Sequence, residues 1–206
     1  MRKVISTVMT LTLLLVLAWG GSAAARQIAP VEGLETLRRS FAGITDFSAD
    51  IVQEKQISLL KRKMVSTGTV RFRKPSLFFM ELNPPRASRL LLNDTQITLY
   101  FPREKSTSQM ALPPEQSLQH WFTFLARPVT SLPDGVDVRA DQQGDALTIT
   151  VIPRSGGQVR EFAVTLLTDG TIRKLVISEK NGDRTLITFS RVRKNSGLTD
   201  KDFRIN

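Results

Sequence analysis

A two-residue alternation of apolar and polar side chains runs through most of this 206-residue chain and leaves few folds open to it. Phe47, Ala49 and Ile51 alternate with Ser48, Asp50 and Val52, and Val70 and Phe72 with Thr69, Arg71 and Arg73. Phe78, Met80 and Leu82 alternate with Phe79 and Glu81, and Ile97, Leu99 and Phe101 with Thr98 and Tyr100. Leu147, Ile149 and Val151 alternate with threonines, and Phe162, Val164 and Leu166 repeat the pattern. Successive side chains of a strand point to opposite faces, so every such run offers one apolar face. Turn signals separate the runs: Lys74-Pro75, Asn83-Pro84-Pro85, Asn93-Asp94, Gly156-Gly157, Asp169-Gly170 and Asn181-Gly182. About ten short strands joined in this way predict one large antiparallel sheet.

Only two segments follow a helical period. Leu34, Leu37, Phe41 and Ile44 fall on one stripe, with Gly43 and Asp46 marking the end. Pro113-Pro114-Glu115-Gln116 reads as a helix start, and Leu118, Trp121, Phe122 and Leu125 follow at helical spacing until Arg127-Pro128. A sheet of this size must close on itself or have a face covered. Two helices cover it only loosely. The expected fold is therefore mainly β with few helices: a curved antiparallel sheet with helices over its mouth and room for a cavity beneath them.

The first 25 residues read as a leader rather than part of that fold. Met1-Arg2-Lys3 is a positive start, Val4 to Trp19 carries only Ser and Thr as polar members, and Ala23-Ala24-Ala25 supplies a small-residue cleavage site. The apolar run falls short of the roughly 20 residues that span a bilayer. Cleavage after Ala25 leaves a single domain of 181 residues, 26–206, with 27 basic and 19 acidic side chains. An exported basic domain meets anionic head groups or acidic protein surfaces rather than nucleic acid. Lys61-Arg62-Lys63 is its densest basic stretch and reads as a solvated turn.

Cys is absent and His120 is the one histidine. Disulfide scaffolds, thiol nucleophiles, His- or Cys-rich metal cages and a lipid-bearing N-terminal cysteine are thereby excluded. His120 reads as solvent-facing, Gly156-Gly157 as a turn with no helix after it, and Asp134 and Asp137 as surface carboxylates. No enzyme, no cofactor and no metal is expected.

The stretch Gly68-Thr69-Val70-Arg71-Phe72-Arg73-Lys74-Pro75-Ser76-Leu77-Phe78 resembles a signature run of the periplasmic outer-membrane lipoprotein carrier proteins, the LolA family. Met80-Glu81-Leu82-Asn83-Pro84-Pro85, Leu90-Leu91-Leu92-Asn93-Asp94 with Leu99-Tyr100-Phe101-Pro102, and Phe47 to Gln53 continue the resemblance. Near the end Thr188-Phe189, Asn195-Ser196-Gly197-Leu198 and Asp202-Phe203 match the family's closing pattern, so nearly all of 26–206 is covered.

The resemblance implies an incomplete antiparallel β-barrel, a curved sheet covered by a helical lid and enclosing an apolar cavity, and with it a soluble periplasmic shuttle, expected to be a monomer. It would take acylated lipoproteins from an inner-membrane ATP-driven exporter and pass them to an outer-membrane receptor. The alternatives are a lipid- or lipoprotein-sensing domain of the envelope-stress type, or a carrier of another lipid. The residues expected to line the cavity are Phe72, Phe78, Met80, Leu82, Leu90, Leu92 and Leu99 from the strands, with Trp121, Phe122 and Leu125 from the lid helix. Each strand residue of that set also fits a plain core position.

Three departures from the family stand out. Its Arg before the motif proline is Lys74 here, preceded by Arg73; its aromatic positions read Met80 and Leu99; and the chain stops at Phe203-Arg204-Ile205-Asn206 without a proline-rich extension. The resemblance implies a lid latch at the position of that Arg; alternation puts Lys74 on the apolar face with Phe72, from where it is expected to reach carbonyls near Ala126 and Arg127, with Arg73 as the other candidate.

Overall fold

The computed structural model describes residues 25–114, 117–154 and 157–205. The leader read at 1–25 therefore lies, except for Ala25, outside the described residues, as do Glu115, Gln116 and Gly156 from the expected helix start and turn. Among the described residues, twelve strands form one antiparallel sheet. In chain order they are β1 (Arg26–Ile28), β2 (Asp46–Ile57), β3 (Arg62–Arg73), β4 (Leu77–Leu82), β5 (Ser88–Asn93), β6 (Gln96–Phe101), β7 (Ser106–Ala111), β8 (Val136–Gln143), β9 (Ala146–Pro153), β10 (Val159–Leu167), β11 (Ile172–Glu179) and β12 (Arg184–Lys194). The helices are α1 (Pro30–Phe41) and α2 (Leu118–Phe124).

Two meanders, β2 to β7 and β8 to β12, are joined side by side through β12 and β2, and β1 adds to the outer side of β8. The curved sheet is open, with β1 and β7 as its edges. This order gives the helices their place. The chain must travel from β1 at one edge to β2 in the middle, and from β7 at one edge to β8 near the other. α1 and α2 are those two crossings, and both lie on the same face, called the inner face below.

Side-chain register carries one apolar surface across the sheet. Ala140, Ile149, Val164, Leu175 and Ile187 stand opposite one another in successive strands of the second meander. α1 covers the β8 and β9 part of this surface with fully buried Leu34. A Cβ at Gly33 would stand 2.3 Å from the Ala140 Cβ, so the α1 backbone rests directly on β8. The sequence carried α1 to Ile44, but it ends at Phe41; Ile44 is buried from the connector beyond it. α2 starts later than expected. Ser117 caps it, its Oγ accepting the His120 N–H at 3.0 Å. Serine at that position satisfies a free N–H of the first turn, a signal that the Pro113-Pro114 pair overshadowed.

Two polar junctions fix the strand ends beneath α1. Buried Asp46 accepts from Ser196 N (2.8 Å), Ser196 Oγ (3.1 Å) and Gly197 N (3.2 Å), and Asn195 bridges Gly43 O and Thr45 N. At the β10–β11 turn Asp169 accepts from Thr171 N and Oγ, both at 2.8 Å, and from Lys194 Nζ at 3.0 Å. Those Thr171 hydrogen bonds, then Lys194, draw the Asp169 carboxyl down to about 2. A carboxyl lowered on folding stabilises the fold above its unfolded value and ceases to do so as pH falls through the folded one. The melting-temperature gap between the parent and Asp169→Ala is therefore expected to be full at pH 6 and to close towards pH 2. A gap that does not change over that range would show that the carboxylate charge is irrelevant to the turn.

Candidate functional site

The other half of the inner face is less completely covered. Phe72 stands opposite Phe78, Phe78 opposite Leu92, Leu92 opposite Ile97, and Ile97 opposite Met110, so one row of apolar side chains crosses five strands. Val70, Met80, Leu90 and Leu99 form the next row, and Gly68 and Leu82 the third. The seven strand residues singled out from the sequence thus share one surface. Phe72 and Leu82 are buried, while Phe78, Met80, Leu90, Leu92 and Leu99 remain half-buried. Phe41, Ile97, Phe101 and Met110 belong to the same surface and were not singled out. For Ile97 and Phe101 the alternation that marked Leu99 already carried the signal.

Trp121 and Phe122 of α2, and Leu125 just after it, divide between two clusters. The Phe122 ring lies 5.3 Å from that of Phe72, which also contacts Phe47 at 5.1 Å and Phe41 at 6.4 Å. Trp121 turns the other way, edge-on to Phe162 at 6.5 Å, and Leu125 packs with it against the β8–β10 cluster. α2 is therefore pressed into the middle of the sheet, and the apolar surface there is filled by protein side chains. Space remains on either side. A cleft of about 300 Å³ lies among Phe41, Ala42, Lys74, Phe122, Leu125 and Ala126 at the helix ends. A second, of about 520 Å³, opens at the far end of the strands over Met64, Leu82 and Phe101, with Lys55, Arg86 and Arg103 around it.

Lys74 occupies the junction of the two helices. Its stem lies on the inner face, as alternation predicts, but its acceptor is not a carbonyl of Ala126 or Arg127. Nζ donates to the carbonyl of Phe41, the last residue of α1, at 2.6 Å. The ammonium also stands 5.6 Å from the Phe41 ring centroid and 5.5 Å from that of Phe122, within cation–π range. The reason for the difference is where α1 stops. Phe41 O, which also accepts the Ile44 N–H at 3.2 Å, faces the β3–β4 turn, and a cation there meets the negative end of the helix dipole. Burial pulls the Lys74 ammonium below the ordinary lysine value.

α1 is also tied to the segment after α2. Glu35 accepts from Arg38 Nη2 and Nε, at 2.7 and 2.8 Å, and from Val129 N at 3.0 Å. The Arg38 guanidinium and then the Val129 N–H hold its carboxyl well below the usual carboxylate range.

Arg73 faces away from the helices. It pairs with Asp200, donates to Leu198 O at 3.3 Å and lies 5.3 Å over the Phe203 ring. Arg71 donates to Asp202 O and Arg89 to Ile205 O, so a row of arginines straps the C-terminal segment to the outer face of β3–β5.

Solved structures resemble the chain only distantly. The Pseudomonas aeruginosa MucA/MucB complex aligns with 15% identity and a TM-score of 0.49 over 86% of this chain and 61% of that one. A LolA superfamily protein from Nitrosomonas europaea aligns with 10% identity and a TM-score of 0.45, covering 86% and 98%. Sequence relatives are clearer. An outer-membrane lipoprotein carrier protein of Pseudomonas fluorescens is 22% identical over 85% of this chain and 80% of its own length. One from Vibrio cholerae is 28% identical over 78% and 79%. Residues 42–206, which hold every strand of the inner face except β1 together with α2 and Lys74, match the family described as outer membrane lipoprotein carrier protein LolA, and the chain belongs to that family.

Proposed function

We propose that the chain is a periplasmic carrier of acylated lipoproteins, receiving them from an inner-membrane ATP-driven exporter and delivering them to an outer-membrane receptor. The observation that supports this most is the pairing of a half-covered apolar surface on β4–β6 with two helices pressed into its neighbouring half. A chain of about 16 carbons loses on the order of 12 kcal/mol of favourable burial when exposed to water, at about 0.8 kcal/mol per methylene. Phe78, Met80, Leu82, Leu90, Leu92 and Leu99 form the floor on which it would lie. Trp121, Phe122 and Leu125 form the lid, and Phe122 leaving Phe72 opens the covered part. Cargo then competes with the contacts the lid makes when the carrier is empty, so net affinity is a small difference between two burial terms. Lys74 is the latch of the empty state, joining the end of α1 to Phe122.

Native mass spectrometry of protein purified from the periplasm tests the reading. The expected spectrum holds a population carrying one acylated polypeptide, removed by detergent. A spectrum with no acylated species, together with no displacement of an apolar fluorescent probe by a triacylated lipopeptide, would falsify it.

A further inference from the structure

The β2–β3 hairpin reaches well beyond the rest of its meander. β2 and β3 pair continuously from Asp46–Arg73 to Ile57–Arg62, whereas β4 pairs with β3 only from Arg73 back to Gly68. Six further residues of β3 carry the hairpin on past β4, roughly 20 Å of strand at about 3.3 Å per residue, while on its other side β12 stays paired with β2 as far as Gln56. At its tip stand Leu59, 92% exposed, and Leu60, 63% exposed. Single exposed leucines are ordinary. Two in succession on an exposed hairpin tip, followed at once by Lys61, Arg62 and Lys63, are not explained by folding.

Charge surrounds that tip. Lys63 pairs with Glu54 at 2.6 Å, while Lys61 and Arg62 make no ion pair among the described residues. The β4–β5 and β6–β7 turns lie at the same end of the sheet, because Leu82 faces Ser88 and Phe101 faces Ser106 there. They bring Arg86, Arg103 and Lys105 against Glu104 alone. The β11–β12 turn adds Lys180 and Asp183, the latter accepting the Ser58 N–H at 2.9 Å. The result is a cationic rim around an exposed apolar point, and the cleft over Leu82 and Phe101 opens between these turns.

We propose that this end of the molecule docks on an anionic lipid bilayer, with Leu59 and Leu60 entering the boundary between head groups and acyl chains and the basic residues resting on the head groups. An apolar tip flanked by Lys and Arg fits that interface, where aliphatic groups reach the acyl layer and cations stay with the phosphates. A flat apolar pad would suit a protein partner better; a two-residue point has too little area for one. Docking in this orientation sets the open end of the β4–β6 surface against the membrane. The inference goes beyond the carrier reading, and its test uses no cargo, so either can fail without the other.

The test is flotation of the exported protein, produced from the full chain, with phosphatidylethanolamine–phosphatidylglycerol vesicles and with phosphatidylcholine vesicles. Binding is expected to the anionic vesicles, weakening as salt rises. Leu59→Ser with Leu60→Ser is expected to lower it roughly tenfold or more, and each of Lys61→Ser and Arg62→Ser about fivefold. These side chains are exposed, so the melting temperature should not change. Leu59→Trp adds a second readout, a blue shift of indole emission on anionic vesicles. Three results overturn the proposal: no flotation with either vesicle, flotation that the double serine variant leaves intact, or a Leu59→Trp emission that vesicles do not move. The first points instead to an acidic protein surface as the partner of the basic rim, and the second to adhesion by charge alone.

Discussion

The Lys74→Leu protein is expected to load acylated cargo normally and to release it to an acceptor at least tenfold more slowly than the parent. Nζ bonds to Phe41 O at 2.6 Å and sits against the Phe41 and Phe122 rings. A charge-assisted hydrogen bond of this kind contributes about 1.5–3 kcal/mol, and each cation–π contact adds roughly 0.5–1 kcal/mol. All of these interactions join groups that must separate if α2 lifts from Phe72. Leucine keeps the apolar stem and loses the tie, so the closed state falls relative to the open one by tenfold or more. The open form then predominates and apparent affinity for cargo rises by the same factor, because a smaller share of the protein is locked shut. Lys74→Arg should release as well as the parent, since a guanidinium retains the charge and can reach the same carbonyl. Release and affinity are both read in a transfer assay between labelled carrier and acceptor. If Lys74→Leu matches the parent in both, Lys74 is not the latch. Arg73 does not take its place in that event, for its side chain is committed to Asp200 and Leu198 on the opposite face.

Phe78→Glu and Leu92→Glu are each expected to lower binding of an apolar fluorescent probe by more than a hundredfold. The two residues are register partners on β4 and β5, half-buried in the same row as Phe72. An acyl chain laid over them would desolvate the new carboxylate, which costs several kcal/mol when no cation is near. With the surface unoccupied, water still reaches both sites, so the folded protein should survive the change with a modest fall in melting temperature. Gln109→Glu is the control. It lies on exposed β7 opposite Thr98, on the outer face, and should bind the probe as the parent does. If a folded Phe78→Glu or Leu92→Glu protein binds the probe unchanged, the acyl chain does not lie on this surface.

The surface these variants probe was legible before any coordinates. Alternation commits Phe72, Phe78, Met80, Leu82, Leu90, Leu92 and Leu99 to one side of their strands, because a strand has only two faces. The same rule put Lys74 on the inner side and Arg73 on the outer. Helical spacing found α1 and α2, with errors at their ends, where a capping serine competes with a proline pair and where Ile44 is buried without being helical. The strap formed by Arg71, Arg73 and Arg89 left no such trace, since each reaches a backbone carbonyl more than a hundred residues away.

What the sequence by itself determined, then, is which side chains share a face and where the chain turns. Both depend on neighbours two to four residues apart, and the steric rules of strand, helix and turn act at that range. The tertiary structure alone decided the rest. It joined β12 to β2 and β1 to β8, which makes α1 and α2 crossings over the same face. It stopped α1 with Phe41 facing the β3–β4 turn, so that Lys74 found a carbonyl 33 residues away rather than one at the end of α2. It also divided Trp121 and Phe122 between two clusters. A side chain's partner depends on which segments pack together and at what offset, and many offsets satisfy the same periodicity. Burial of the whole apolar surface selects one of them.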